Sequence, residues 1–239
     1  MSPVQPFVSV IIPVFNDSKR LVTCLTALSN QSYGQENYEV IVADNGSTDD
    51  ISSAAKEFSV TLVSEKKPGS YAARNKGLSV AKGEILAFTD ADCIPREDWV
   101  ETGVKKVLES QNCGLIAGRI DVILKDPENP SIIEFFDSAT AFPQKHFIEA
   151  DKFGATANIF TTKKVIKNVG GFNSELKSNG DREWGNRVHK AGYALIYDHS
   201  LCVRHPARHK FSQIRKKYAR LIGGQHDLNT KQGNYSIYK

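Results

Sequence analysis

Two aspartates one residue apart close the apolar run of Phe88-Thr-Asp-Ala-Asp92. Carboxylates at the tip of a strand offer hard oxygen ligands, which suit Mg2+ or Mn2+. Such ions take one or two protein carboxylates and fill their other positions with water and substrate phosphates. The triplet Asp90-Ala91-Asp92 also suits a plain turn and helix cap ahead of Pro95, because Asp favours turns. A further carboxylate, Asp44, opens Asp44-Asn-Gly-Ser-Thr-Asp-Asp50. Ser47 or Thr48 is expected to cap the helix that follows, whereas Asp44 lies before the cap, where it can accept from the imide N–H of a uracil ring. Pro13, Phe15 and Asn16 are expected to shape another wall of that pocket. In Pro68-Gly-Ser-Tyr-Ala-Ala-Arg-Asn-Lys-Gly77 a turn at Gly69 leads into a helix carrying Arg74 and Lys76. Free helix N-terminal amides and arginine both favour phosphate, although a solvated basic face accounts for the same two charges.

Groups so far apart in sequence need a fold that gathers them. Residues 8–14 read as a buried strand, followed by Leu21, Leu25 and Leu28 at helical spacing. Strands are predicted again at 38–43, 60–63 and 84–89, with helices after residue 50 and over 70–81. This alternation is the pattern of a mostly parallel sheet with crossover helices, an α/β fold. Ligands of such sheets sit at the carboxyl ends of the strands, where Asn16, Asp44, residues 65–69 and Asp90 to Asp92 all fall. A helix over 99–108 and a strand over 115–124 continue the sheet up to the turn Lys125-Asp-Pro-Glu-Asn-Pro130. Beyond it, helices are predicted around 161–168, stopped by Gly170-Gly171, and over 181–191, stopped by Gly192, with a strand over 194–203. No linker separates the two parts, so 1–239 is expected to form a single domain.

With 239 residues, 40% of them hydrophobic, the chain can bury a core, and a net charge of +4 does not call for nucleic acid. The four cysteines lack paired spacing, which fits reduced thiols in a cytoplasmic protein. Apolar runs are only strand length, far short of the roughly 20 residues that span a bilayer.

In this order the residues resemble the inverting glycosyltransferases of family 2, which have the GT-A fold. The resemblance runs from Val8 to about His205. It is carried by Val10-Ile-Ile-Pro-Val-Phe-Asn16, Asp44-Asn-Gly-Ser-Thr-Asp49, Gly69 with Ala73-Arg-Asn-Lys-Gly77, Asp90-Ala-Asp92, Gly170-Gly-Phe172, and Asp181 with Arg187 and Ala191-Gly-Tyr193. It implies a nucleotide-binding half over 1–124 and an acceptor-binding half over 125–239. Sugar would pass from a nucleotide-sugar donor, with UDP favoured, to a hydroxyl acceptor that is a carbohydrate, a lipid-linked sugar or a small molecule. Asp44 looks like the uracil-binding acid, Arg74 a nucleotide contact, Asp90 the acid near ribose and the metal shell, and Asp92 the acid that ligates Mn2+ or Mg2+.

The family's catalytic base usually ends a Glu-Asp pair at the head of a helix, and here the pair reads Gly180-Asp181. Asp181 is the expected base, kept ionised by a helix dipole that lowers its pKa. Glu183 is its rival, or a contact to donor or acceptor sugar, and Trp184 suits either sugar stacking or the core. Asn158, ahead of the helix start at Thr161-Thr162, is expected to touch the donor sugar, and His205 to complete the metal shell. From Val203 to Arg220 the chain carries seven Lys or Arg and no acid. This stretch is expected to be a solvated helix face, a clamp on the donor diphosphate, or a peripheral contact with the phosphates of a lipid-linked acceptor or the inner face of the membrane. Its aromatic residues, Phe211 and Tyr218, do not interleave the cations in the way nucleic-acid stacking requires, so nucleic acid is not expected as a partner. Two other functions share some of these features: a sugar nucleotidylyltransferase, and a module that binds nucleotide sugar without turnover.

Overall fold

The computed structural model describes residues 5–231, so the last residues of the acceptor-side half 125–239 lie outside the described part. Strand β1 (Val8–Val14) is buried along its whole length. It is flanked by β2 (Tyr38–Asp44) and β4 (Ile85–Thr89), both parallel to it, and β3 (Val60–Ser64) extends the row beyond β2. Parallel strands need both faces covered, and the crossover helices do this. On one face α1 (Ser18–Ser29) packs Leu21, Cys24, Leu25 and Leu28, while α4 (Trp99–Glu109) packs Trp99, Val104 and Val107. The opposite face holds Ile11, Ile41 and Phe88 under α3 (Ser70–Val80) and α8 (Gly180–Lys190).

Among the described residues the sheet has eight strands in the order β3-β2-β1-β4-β7-β6-β8-β5. Strand β6 (Cys113–Ile123) runs parallel to β8 (Ala194–Pro206), and the short β5 (Ile94–Pro95) closes the edge antiparallel to β8. Strands from both halves of the sequence therefore belong to one sheet.

Between β4 and β6 lies β7 (Asn158–Thr162), antiparallel to both. The sequence reading places the start of a helix here. Instead Asn-Ile-Phe-Thr-Thr is a buried strand, rich in the β-branched and aromatic residues that suit one, and the helix α7 (Lys163–Val169) begins only after Thr162, whose hydroxyl accepts from the Val165 amide. The cap of α2 (Ile51–Ala55) also differs from expectation: Asp50, rather than Ser47 or Thr48, accepts from the Ser53 amide.

Asn158, expected beside the donor sugar, is fully buried. Its Oδ1 accepts from the indole Nε1–H of Trp99 at 2.8 Å, and its Nδ2 donates to the carbonyls of Arg119 at 2.8 Å and Leu201 at 3.2 Å. One amide thus ties α4, β6, β7 and β8 together, and it does not line the cavity described below. Asn158→Ala leaves a buried N–H and two carbonyls short of a partner, so it should cost about 2–4 kcal/mol, read as a lower urea midpoint with unchanged slope.

Candidate active site

The ends of the parallel strands, the starts of α3 and α8, and the C-terminal helix α9 (Phe211–Lys231) surround a cavity of ≈ 610 Å³. Pro13, Phe15, Arg74, Asp90, Ala91, Asp92, Asp181 and His205 all line it. Asn16, Asp44 and Gly69, expected to bind the nucleotide, are not among the lining residues; their hydrogen bonds hold the loops next to it. Asn16, at φ 51°, accepts the Thr48 amide through Oδ1 at 2.7 Å and donates its own N–H to Ser47 Oγ. Asp44 Oδ1 accepts from the Ser47 amide at 3.0 Å. Gly69 has φ 123°, a conformation that only glycine adopts without strain, and its N–H donates to Asn45 Oδ1 at 2.6 Å. That bond fixes the head of α3, whose Ser70 and Tyr71 face the cavity.

Arg74 is 3% exposed, which rules out the solvated basic face. Its guanidinium lies over the Tyr71 ring at 5.7 Å and is ion-paired with Asp90 Oδ1. A buried cation needs such a partner, so one oxygen of Asp90 is engaged by arginine. The other aspartate, Asp92, meets His205 Nε2 at 3.4 Å and Arg20 at 3.4 Å. Burial works against its charge, but the His205 hydrogen bond and charge, with Arg20, more than offset this and hold its pKa at about 2. His205 is itself buried, and its Nδ1 contacts the Pro206 carbonyl at 2.8 Å. With Nδ1–H donated to that carbonyl, Nε2 is the nitrogen turned to Asp92: its proton makes the hydrogen bond in the absence of an ion, and an ion between the two would take that proton's place. Among the described residues no three His, Cys, Asp or Glu side chains converge on one point. The donor set thus fits an ion held by Asp92 and His205 whose other ligands come from phosphate and water.

Asp181 stands in the first turn of α8. Its Oδ1 accepts from the Arg182 amide at 3.0 Å and from the Tyr71 hydroxyl at 3.4 Å. Contrary to the helix-dipole expectation, its pKa is raised: burial outweighs the lowering effects of the Arg182 amide, the Arg74 charge and the Tyr71 hydroxyl. Glu183 does not share the cavity. It forms a bidentate ion pair with Arg187, which also donates to the Val169 and Gly171 carbonyls. Trp184 is core, donating to the Gly170 carbonyl and packing against Phe172.

The structure explains the glycine that stands before Asp181. A Cβ on Gly180 would lie 2.7–2.8 Å from three ring atoms of Tyr71. Tyr71 occupies the volume that a side chain at 180 would need, and it is also the residue that donates to Asp181. Sequence reasoning missed Tyr71, Arg20 and the lining cations Lys177 and Arg182; only Tyr71 had a signal, its place in the Gly69 turn. The basic stretch divides. Arg208 and Lys217 turn inward to the fully buried Asp137, at 3.2 and 3.1 Å, and with Arg220 they line the cavity.

Gly180→Ala should therefore displace the Tyr71 ring, lowering Tm and shifting the tyrosine contribution to near-ultraviolet circular dichroism. The stability losses of Gly180→Ala and Tyr71→Ala should be less than additive in the double variant, because removing the ring also removes the overpacking.

Residues 9–171 match the family described as Glycosyl transferase family 2. The glycosyltransferase AglE of Haloferax volcanii is 38% identical over 94% of this chain and 75% of its own length. Among solved structures, the mannosyltransferase PcManGT of Pyrobaculum calidifontis, in complex with GDP-Man and Mn2+, superposes with a TM-score of 0.65 at 24% identity, over 85% of this chain and 57% of that one. TarS 1-349 of S. aureus, in complex with UDP-GlcNAc, gives 0.65 at 17% identity, over 85% and 59%. This chain thus spans under two thirds of either solved chain. The sheet order, with its curled mixed edge, is the GT-A fold of these neighbours. The match leaves no support for the nucleotidylyltransferase alternative: the chain belongs to glycosyl transferase family 2.

Proposed function

We propose that the chain transfers a sugar from a nucleoside diphosphate donor, UDP-linked by the resemblance of Asp44, to a hydroxyl acceptor in glycoconjugate or polysaccharide synthesis, with inversion at the anomeric carbon. One observation carries the reading. An ionised Asp92 paired with His205, and an Asp181 of raised proton affinity, line the same cavity.

Asp92 through a carboxylate oxygen and His205 through Nε2 would hold Mn2+ or Mg2+, as the Mn2+ in the mannosyltransferase complex suggests by analogy. When bound, such an ion supplies positive charge against the leaving diphosphate. Arg74 holds Asp90 in place by the buried ion pair and adds its own charge to the cavity wall. Lys177 on the cavity wall favours entry of an anionic donor, while Arg182 beside it is ion-paired with Asp151 at 3.0 Å. Asp181 accepts the proton of the acceptor hydroxyl while that oxygen bonds to the anomeric carbon and the bond to the diphosphate breaks. Tyr71 O–H steadies the carboxylate that does this. A raised proton affinity suits the task, since a base near its working pH balances being ionised against being basic.

Calorimetric titration of UDP, GDP and dTDP in the presence of Mn2+ and then EDTA tests the donor site. Metal-dependent binding of one nucleotide is expected, and binding of none would overturn the reading. Asp92→Ala should remove the metal dependence and abolish turnover. Asp181→Asn should keep nucleotide binding and lower kcat by roughly 10²–10⁴. In the wild type, kcat/KM should fall on the acid side through a pKa above the ordinary aspartate range, because the protonated form cannot accept the hydroxyl proton. That limb should vanish from the residual rate of Asp181→Asn.

A further inference from the structure

Helix α5 (Ile132–Thr140) is built inside out. Its two acids face the protein. Glu134 is buried and accepts from Ser131 in a capping box and from the Lys125 amide at 2.9 Å. Asp137 is fully buried and takes the Arg208 amide and guanidinium and the Lys217 ammonium. Its large apolar residues face outward, with Ile132 88%, Phe135 66% and Phe136 45% exposed. A helix in water normally has the reverse pattern.

The patch does not end with α5. Phe136 lies 6.3 Å from the ring of Tyr218 on α9. Tyr218 belongs to a stripe, Phe211, Arg215, Tyr218 and Ile222, whose spacing of four, three and four residues puts them on one helix face. Phe211, Tyr218 and Ile222 are all exposed. Contiguous exposed apolar surface of this kind marks an interaction site.

We propose that the outward face of α5 and this stripe of α9 form a docking surface for an anionic lipid bilayer. The inference rests on the glycosyltransfer reading and deepens it, because a surface-bound cavity receives its acceptor from the lipid phase. Charge selects the occupant. Arg208 and Lys217 are used internally, which leaves Lys210, Arg215, Lys216 and Arg220 exposed around the aromatic side chains with no acid between residues 203 and 220. Aromatic side chains beside unpaired cations match a bilayer interface carrying negative headgroups. A second copy fits less well, since a two-fold interface sets the same patch against itself and brings like charges together. No helix among the described residues is long and apolar enough to cross a membrane. Lys217, Arg220 and Leu221 also line the cavity, and the docked face thus borders its mouth.

Flotation with vesicles of phosphatidylcholine alone, or of an equimolar mixture with phosphatidylglycerol, tests this surface. The protein should float with the anionic vesicles only, and less in high salt. Phe135→Ser with Phe136→Ser, and separately Lys210→Glu with Arg215→Glu, should each lower vesicle affinity at least about tenfold, with Tm and the nucleotide titration unchanged. Absence of flotation in the wild type, or flotation that neither pair weakens, would overturn the proposal. So would a dimer in sedimentation velocity that both pairs dissolve. Normal flotation without nucleotide binding would support the surface and overturn the glycosyltransfer reading alone.

Discussion

A single buried guanidinium organises the chemistry of this molecule. Arg74 has lost nearly all of its water, and a cation in that position is tolerable only with fixed negative partners. Asp90 is the direct partner, and the Arg74 charge also acts on Asp181. Tyr71 lies under the same guanidinium and donates to Asp181. The head of α3, the tip of β4 and the head of α8 thus meet through one charge. The Gly69 turn sets where α3 begins, and with it where Arg74 lands.

Much of this was legible in sequence, and the part that was not has identifiable causes. Buried parallel strands such as β1 announce themselves as unbroken apolar runs bounded by turns, and the polar residues that follow them mark the ligand edge. Strand β7 escaped because its last two residues, Thr161 and Thr162, also read as the start of the helix they adjoin, and its antiparallel place depends on two strands far away in sequence. Helix α5 escaped because its polar face is the buried one, which only the partners Arg208 and Lys217 can explain. Asn158 looked like a binding residue, since the type and position of an amide do not reveal which groups saturate it. Asp181 was placed at the correct helix end, but the dipole argument counts only the charge of the helix. Burial adds a term that no linear pattern contains, and it has the opposite sign and the larger effect.

The cavity carries charge of both signs. Its wall carries Asp90, Asp92 and Asp181 with Arg74 as the buried cation among them, and Lys177, Arg182, Arg208, Lys217 and Arg220 also line it, three of these paired with Asp151 or Asp137. On the proposed reading, the three carboxylates would repel a polyanionic donor unless a divalent cation lay between them. The proposed donor would then bind together with its metal rather than as a bare nucleoside diphosphate.

The contact between Gly180 and Tyr71 has a consequence for how such sites change over generations. A chain cannot acquire a side chain at 180 while a tyrosine ring fills that space, and it cannot give up the ring without loosening the carboxylate beside it. The two positions are sterically coupled: a side chain at 180 and a tyrosine ring at 71 claim the same volume. Placing an acid at 180, ahead of Asp181, would therefore require residue 71, over a hundred positions away, to change with it.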